Sequence, residues 1–274
     1  MAPPEPDPPV VTSFRNEQVK FVRSLAVGKF RREHGAFVAE GLKLAGTARE
    51  MDWPVRMVAY DAAAPRGGFL DVVLDWARAR DARLLPVTAE ILGAMTAKDN
   101  PQTVVGVFDQ RTLTLADVTP RPGATWVALE QVRDPGNLGT IVRTADAAGA
   151  AGVILVGTCC DPFSIEAVRA TMGSIFAVPI VRADAVAFAA WAARWPGSIV
   201  GTHLAGTVDY RAAAYRDPTL LVMGSEGPGL TDATAALCTD LVKIPMAGRA
   251  DSLNLAIATA LMIYEIRRPA LGRV

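Results

Sequence analysis

A chain of 274 residues, half of them apolar, can bury two cores, so two domains of roughly 100–150 residues each are expected. Lysine plus arginine equals aspartate plus glutamate at 28 each, which excludes a molecule-wide field announcing a polyanionic partner and leaves only local clusters to carry one. Outside one Ala-rich helix near the end, no stretch of about twenty apolar residues runs free of charges and turn signals, so no membrane span is expected.

The chain opens on MAPPEPDPPV, Pro-rich and without an apolar signal region, and residues 1–12 read as a disordered tail. From 14 to 30, Val19, Phe21, Val22, Leu25 and Val27 recur among basic residues, which predicts a helix. Arg15, Lys20, Arg23, Lys29, Arg31 and Arg32 face only Glu17 in that stretch, as either a solvated helix face or a phosphate-facing edge. Phe37–Val38 is a short apolar entry to a helix over 40–51, followed by a strand at 55–60, a helix at 69–80, a strand at 84–87 with a Thr-led helix start, and a strand at 103–108. This alternation predicts a small α/β domain over 13–109, and the Pro- and Gly-bearing segment 110–123 reads as a linker.

The remainder, 124–274, alternates more strongly. Strands are expected at 126–129, 153–156, 178–181, 199–203, 220–223 and 241–244, with helices at 137–148, 164–172, 185–194, 231–237 and 252–267. The short, fully apolar strand at 153–156 suits a parallel sheet covered on both faces, and a mostly parallel sheet of about six strands is expected. Cys159, Cys160 and Cys238 have no metal-ligand spacing and no framework pattern, so no metal is expected, and they read as small hydrophobes in a reducing cytoplasm.

Ligands of open parallel sheets bind beyond the carboxyl ends of the strands, and three post-strand loops here are rich in Gly, Pro and polar residues. In the first, Glu130–Ala150, Pro135 and Gly136 make a turn, Asn137 stands at an N-cap position, and Arg143 follows about 240° around the helix axis, off the Asn137 face. The second, VMGSEGPGL over 222–230, carries Gly224, Gly227 and Gly229, which allow positive φ and close approach to backbone. In the third, 244–265, Ser252 is a sensible N-cap, Asn254 is a poor helix former, and apolar residues from Leu253 to Ile266 surround the helix. A helix apolar all round is buried on more than one side, a pattern that its own sheet on one side and a partner subunit on the other would satisfy.

Together and in this order, N-L-G-T-I-V-R-T-A, G-S-E-G-P-G-L and I-P-M-x-G-x-x-x-S-L-N-L-A resemble the three signature motifs of the SpoU/TrmH family of RNA 2′-O-methyltransferases, within the SPOUT superfamily. F-V-A-E-G-L-K-L-A and N-P-Q-T-V-V-G-V-F resemble that family's N-terminal substrate-binding module. The resemblance implies a C-terminal α/β domain closed by a trefoil knot and a homodimer formed through it. It implies S-adenosyl-L-methionine as cofactor, held near Thr202, Leu204, Gly224, Ile244, Met246 and Leu253. It implies a catalytic set of Asn137, Arg143, Glu226, Ser252 and Asn254, with large-subunit rRNA as the favoured substrate and tRNA as the alternative. A guanidinium keeps its proton in proteins, so Arg143 is expected to grip a phosphate and steady a developing alkoxide rather than to act as the base. Two rivals are a non-catalytic RNA-binding or ribosome-assembly protein of the same fold, supported by the basic cluster, and a nucleotide-dependent enzyme on a Rossmann-like sheet. The second lacks the early G-x-G-x-x-G turn its fold requires.

Overall fold

The computed structural model describes residues 8–96, 102–203 and 206–272. The chain divides into two compact units, one of Met1–Gln110 with Phe163–Phe176, the other of Arg111–Pro162 with Ala177–Val274.

In the first unit α1 (Glu17–Ser24) starts at Asn16, whose side chain accepts from the amides of Gln18 and Val19. The single helix expected over 14–30 is in fact two. The last turn of α1 tightens to bonds such as Ala26 N–H to Arg23 C=O, and a new helix, α2 (Gly28–His34), begins at a glycine, a weak helix former. Next come β1 (Ala36–Glu40), α3 (Leu42–Glu50), β2 (Val55–Asp61), α4 (Phe69–Arg78), β3 (Arg83–Val87), α5 (Ala89–Thr96) and β4 (Val104–Asp109). The apolar entry at Phe37–Val38 is therefore a full strand, separated from α3 by Gly41 at φ 106. The sheet runs β1-β4-β2-β3, with β4 antiparallel to both neighbours and β2 parallel to β3. Val19, Val22 and Leu25 of the α1 segment pack with Ile91, Leu92 and Met95 of α5 over Val38, Met57, Val105 and Val107. Order also begins earlier than expected: Val11, within the anticipated tail, bridges Val87 and donates to the Pro86 carbonyl at 2.9 Å, giving the exposed edge of β3 a partner.

The second unit opens on the anticipated linker, which is ordered. Leu113 bridges Val181, and Thr114 and Asp117 close a capping box around a single 3₁₀ turn. After β5 (Thr125–Glu130), α6 (Pro135–Ala147) and β6 (Gly152–Val156), the chain supplies Phe163–Phe176 to the first unit. There α7 (Ile165–Thr171) packs on β1, and the rings of Phe163 and Phe176 lie 4.9 and 5.8 Å from that of Phe37. The second unit resumes with β7 (Ile180–Ala183), α8 (Ala185–Ala192), β8 (Ile199–Thr202), β9 (Val208–Asp209), β10 (Thr219–Met223), α9 (Asp232–Ala235), β11 (Asp240–Lys243) and α10 (Leu255–Leu271).

These strands form one seven-stranded sheet, β7-β6-β5-β10-β8-β11-β9, in which every neighbouring pair is parallel. The short edge strand β9 is the addition to the expected set. Every residue of β5, β6 and β10 is buried, as a sheet covered on both faces requires. Chain order runs outward from β5 through β6 to β7, then restarts beyond β10. The β5–β10 pair is thus the switch point of the sheet, and open sheets of this kind take ligands beyond the carboxyl ends of their strands. Among the described residues, no helix is long and apolar enough to cross a membrane.

Candidate active site

The loop after β5 enters α6 through Asp134-Pro135. Asp134 is the N-cap, accepting the Asn137 amide at 2.5 Å, and Pro135 supplies a pre-set φ at the first helical position. Asn137, expected as the cap, instead lies inside the first turn with its carboxamide free to reach outward. Its Nδ2 donates to Glu226 Oε1 at 3.0 Å, and its Oδ1 accepts from Asn254 Nδ2 at 2.9 Å. Asn254 Oδ1 accepts in turn from the amides of Ala256 at 2.9 Å and Ile257 at 3.3 Å, so Asn254, not Ser252, caps α10. Ser252 lies two residues too early to cap and donates from Oγ to Asp251 Oδ1 at 3.1 Å.

The result is a directional chain: α10 amides to Asn254, Asn254 to Asn137, Asn137 to Glu226. It ties the three signature loops together and fixes which way both carboxamides point. Glu226 Oε2 also accepts the Arg133 amide at 3.3 Å. Burial pushes the Glu226 carboxyl upward, but the bonds from Asn137 and from the amides of Glu226, Arg133 and Asp134 outweigh it and hold the group below its ordinary 4.5.

The loop carrying Glu226 is a small self-paired hairpin. Ser225 and Gly229 exchange backbone bonds at 3.1 and 3.2 Å, and Gly227 and Gly229 take φ of 107 and 76. A Cβ on Gly224 would stand 2.0 Å from the Gly229 carbonyl carbon, so only glycine allows the loop to fold back this closely.

Beside this hairpin, at the carboxyl ends of β8, β10 and β11, lies a cleft of about 670 Å³, within the roughly 300–1,000 Å³ usual for small-molecule sites. Thr202, Gly224, Ile244, Met246 and Leu253 line it, together with Met223, Glu226, Lys243, Ser252 and Asn254. Leu204 lies outside the described residues.

Arg143 is not drawn into this chain. It stands on the exposed stripe of α6 with Thr140 and Ala147, and its guanidinium makes no hydrogen bond or ion pair among the described residues. In the first unit, Arg15, Lys20, Arg23, Lys29 and Arg32 are exposed. Arg31 departs from its expected place at an RNA-facing edge. It is 4 % exposed, and Nη1 donates to the Leu25 and Ala26 carbonyls at 2.8 Å each, closing the C-terminal end of α1, where unpaired carbonyls attract a cation.

The cysteines are half-buried and unpaired. Burial pushes the Cys159 thiol up and the Cys160 and Cys238 thiols up to about 12, the last two helped by nearby acidic groups, so none is an activated nucleophile. Sequence reasoning misses Asp134, whose signal is the Asp-Pro pair before a helix, and Glu130, a buried strand-end carboxyl with no local signal.

Residues 124–264 match the SpoU rRNA Methylase family, and residues 16–106 match the MRM3-like substrate binding domain. The chain is 49 % identical to an AdoMet-bound rRNA methyltransferase from Sinorhizobium meliloti, covering 96 % of this chain and 99 % of that one with a TM-score of 0.90. It is 34 % identical over 250 residues to the 23S rRNA (uridine(2479)-2′-O)-methyltransferase of Streptomyces viridochromogenes, covering 89 % of this chain and 86 % of the relative. It is also 29 % identical to a Bacillus subtilis 23S rRNA (guanosine(2553)-2′-O)-methyltransferase, covering 94 % and 98 %.

Proposed function

The chain belongs to the SpoU rRNA methylase family, and from that premise we propose that it transfers a methyl group from S-adenosylmethionine to a ribose 2′-hydroxyl of large-subunit ribosomal RNA. The observation that carries the reading is the cleft at the sheet's carboxyl edge. Five of the six residues that the motifs nominate for the cofactor line it, and the polar chain closes one side.

Those residues fit the cofactor. Met223, Ile244, Met246 and Leu253 offer apolar surface to a purine, while Lys243, Glu226 and the 224–229 backbone offer polar partners to the amino-acid end. When bound, S-adenosylmethionine supplies an electrophilic methyl group. The rest of the work is alignment, for which up to roughly 7–11 kcal/mol is available in well-placed systems. Asn137, Asn254 and Glu226 are positioning residues that hold the three loops in register. Arg143, with its guanidinium uncommitted, grips the phosphate beside the target ribose and steadies the negative charge growing on the 2′-oxygen. Ser252, at the cleft wall, orients the ribose.

The exposed Arg15, Lys20, Arg23, Lys29 and Arg32 bind the RNA backbone from the first unit, within the segment that matches a substrate-binding domain or directly beside it. A second copy of the chain covers α10. This helix buries Met262, Ile263 and Ile266 yet leaves Ile257 52 % and Tyr264 47 % exposed on another side. Threading of the chain end into a knot belongs to the same proposal, supported by the packing of α10, the last element, against α6, β5 and β10 at the sheet centre. The protein works in the cytoplasm, where its RNA is assembled.

Two measurements test the reading. Calorimetry should show stoichiometric S-adenosylmethionine binding, and mapping of 2′-O-methylation on total RNA with and without the protein should reveal one site that depends on it. A protein that binds rRNA but neither binds the cofactor nor changes the map is a non-catalytic member of the fold.

A further inference from the structure

Strand β5, beside the centre of the sheet, ends in a buried carboxyl group that the proposed methyl transfer leaves without a task. Glu130, the last residue of β5, is 3 % exposed. Its side-chain bonds reach the segment that leaves the 224–230 hairpin: Oε2 accepts the Thr231 amide at 2.9 Å, and Oε1 accepts the hydroxyls of Thr231 at 2.8 Å and Thr234 at 2.7 Å. A buried carboxyl is costly unless its oxygens are satisfied, and this one is satisfied by a neighbouring loop rather than by its own strand.

The next residue, Gln131, is held at φ 53, a left-handed conformation that a non-glycine residue keeps only where its surroundings over-determine it. Two residues on, the Arg133 amide donates to Glu226. Two carboxyl groups therefore cross between the same two loops in opposite directions. Glu130 runs from the first loop to the exit of the hairpin, and Glu226 runs from the hairpin back to the first loop.

We propose that Glu130 is a positioning residue for the cofactor cleft: it fixes the exit of the 224–230 hairpin on the end of β5, and so places the glycine backbone that forms the cleft wall. This rests on the cofactor reading above. Thr231 also caps α9, a helix of only four residues.

The test compares three full-length variants by calorimetry with S-adenosylmethionine, by steady-state turnover on rRNA and by amide hydrogen exchange across 224–234. Glu130→Ala strands the Thr231 amide, and the cofactor dissociation constant and KM should rise roughly tenfold. KM for RNA should hold, and exchange should quicken at Thr231 and in the hairpin. Glu130→Gln keeps one oxygen for the amide and offers an N–H to two hydroxyls that can accept, so it should restore both affinity and protection. Thr234→Val removes one bond without changing shape and should give a smaller change of the same sign, which decides the matter if the alanine variant does not fold.

Wild-type affinity and protection in Glu130→Ala, or a Gln variant as impaired as the Ala variant, would overturn the proposal. If the wild-type protein binds no S-adenosylmethionine, the functional reading fails, while the exchange comparison still decides whether Glu130 anchors the hairpin.

Discussion

Arg31 of the first unit and Arg143 of the second are of one kind in the sequence, each a basic residue in a helical stretch expected to meet RNA. In the fold they are opposites. Arg31 is buried with two carbonyls on its guanidinium, and Arg143 is exposed with none among the described residues. The comparison shows that a charge is available to a substrate only when the fold has not already used its hydrogen bonds.

The largest break in that comparison is at Arg143. Arg143→Ala should lower methyl transfer from tritiated S-adenosylmethionine by about 10²–10³-fold or more, as for other removed groups that stabilise transition-state charge. Cofactor affinity and melting temperature should hold, since Arg143 neither lines the cleft nor bonds within the described residues. Arg143→Lys should recover little if the contact is a two-pronged grip on phosphate. Substantial turnover in the alanine variant would remove Arg143 from the mechanism.

Arg31→Ala should do the reverse. With the Leu25 and Ala26 carbonyls stripped of their donor, unfolding free energy should fall by about 1–3 kcal/mol, with turnover per folded molecule unchanged. Chemical denaturation set beside an active-site titration checks both halves.

How far the sequence discloses such differences depends on how local the deciding physics is. The strands of the second unit are legible because β5, β6 and β10 are apolar at almost every position, a pattern that only a doubly covered sheet explains. The three loops of the site are legible as motifs, and the asparagines in them stand out. Their caps fall two or three residues from where the sequence places them, because a cap depends on where the first helical φ falls, which Pro135 fixes for α6. The transfer of Phe163–Phe176 to the first unit is not legible at all. It is decided by Phe163 and Phe176 meeting Phe37 and Phe108, partners more than fifty residues away along the chain. Glu130 is opaque for the same reason, since Thr231 and Thr234 lie 101 and 104 residues further on, whereas Arg31 is settled by carbonyls five and six residues back, exposed by a helix break that no periodicity reveals.

Glu226 sharpens the comparison from the acidic side, because it is exposed yet engaged. Its carboxyl sits below the ordinary 4.5 in the folded protein, so its stabilising contribution is complete above that value and is lost as pH falls through the lower folded value. Glu226→Gln cannot titrate there. The stability gap between wild type and variant should therefore be constant near neutrality and should close as pH falls below 4.5, with the other carboxylates cancelling in the difference. A gap that widens with acid would mean that the hydrogen bonds from Asn137 and Arg133 do not favour the ionised form.

The smallest effects belong to the exposed basic residues beside Arg31, and they make the sharpest contrast with it. Arg23 lies only eight positions away, in the last turn of α1 and open to solvent. If it meets a phosphate, Arg23→Ala should weaken RNA binding evenly across sequences and reduce the slope of log affinity against log salt by about one. Melting temperature should barely move, since an exposed charge contributes little to folding. Arg31→Ala, measured at a temperature where it remains folded, should leave that slope untouched. A salt series on the two variants side by side therefore separates a phosphate contact from a helix cap, although their side chains are chemically identical.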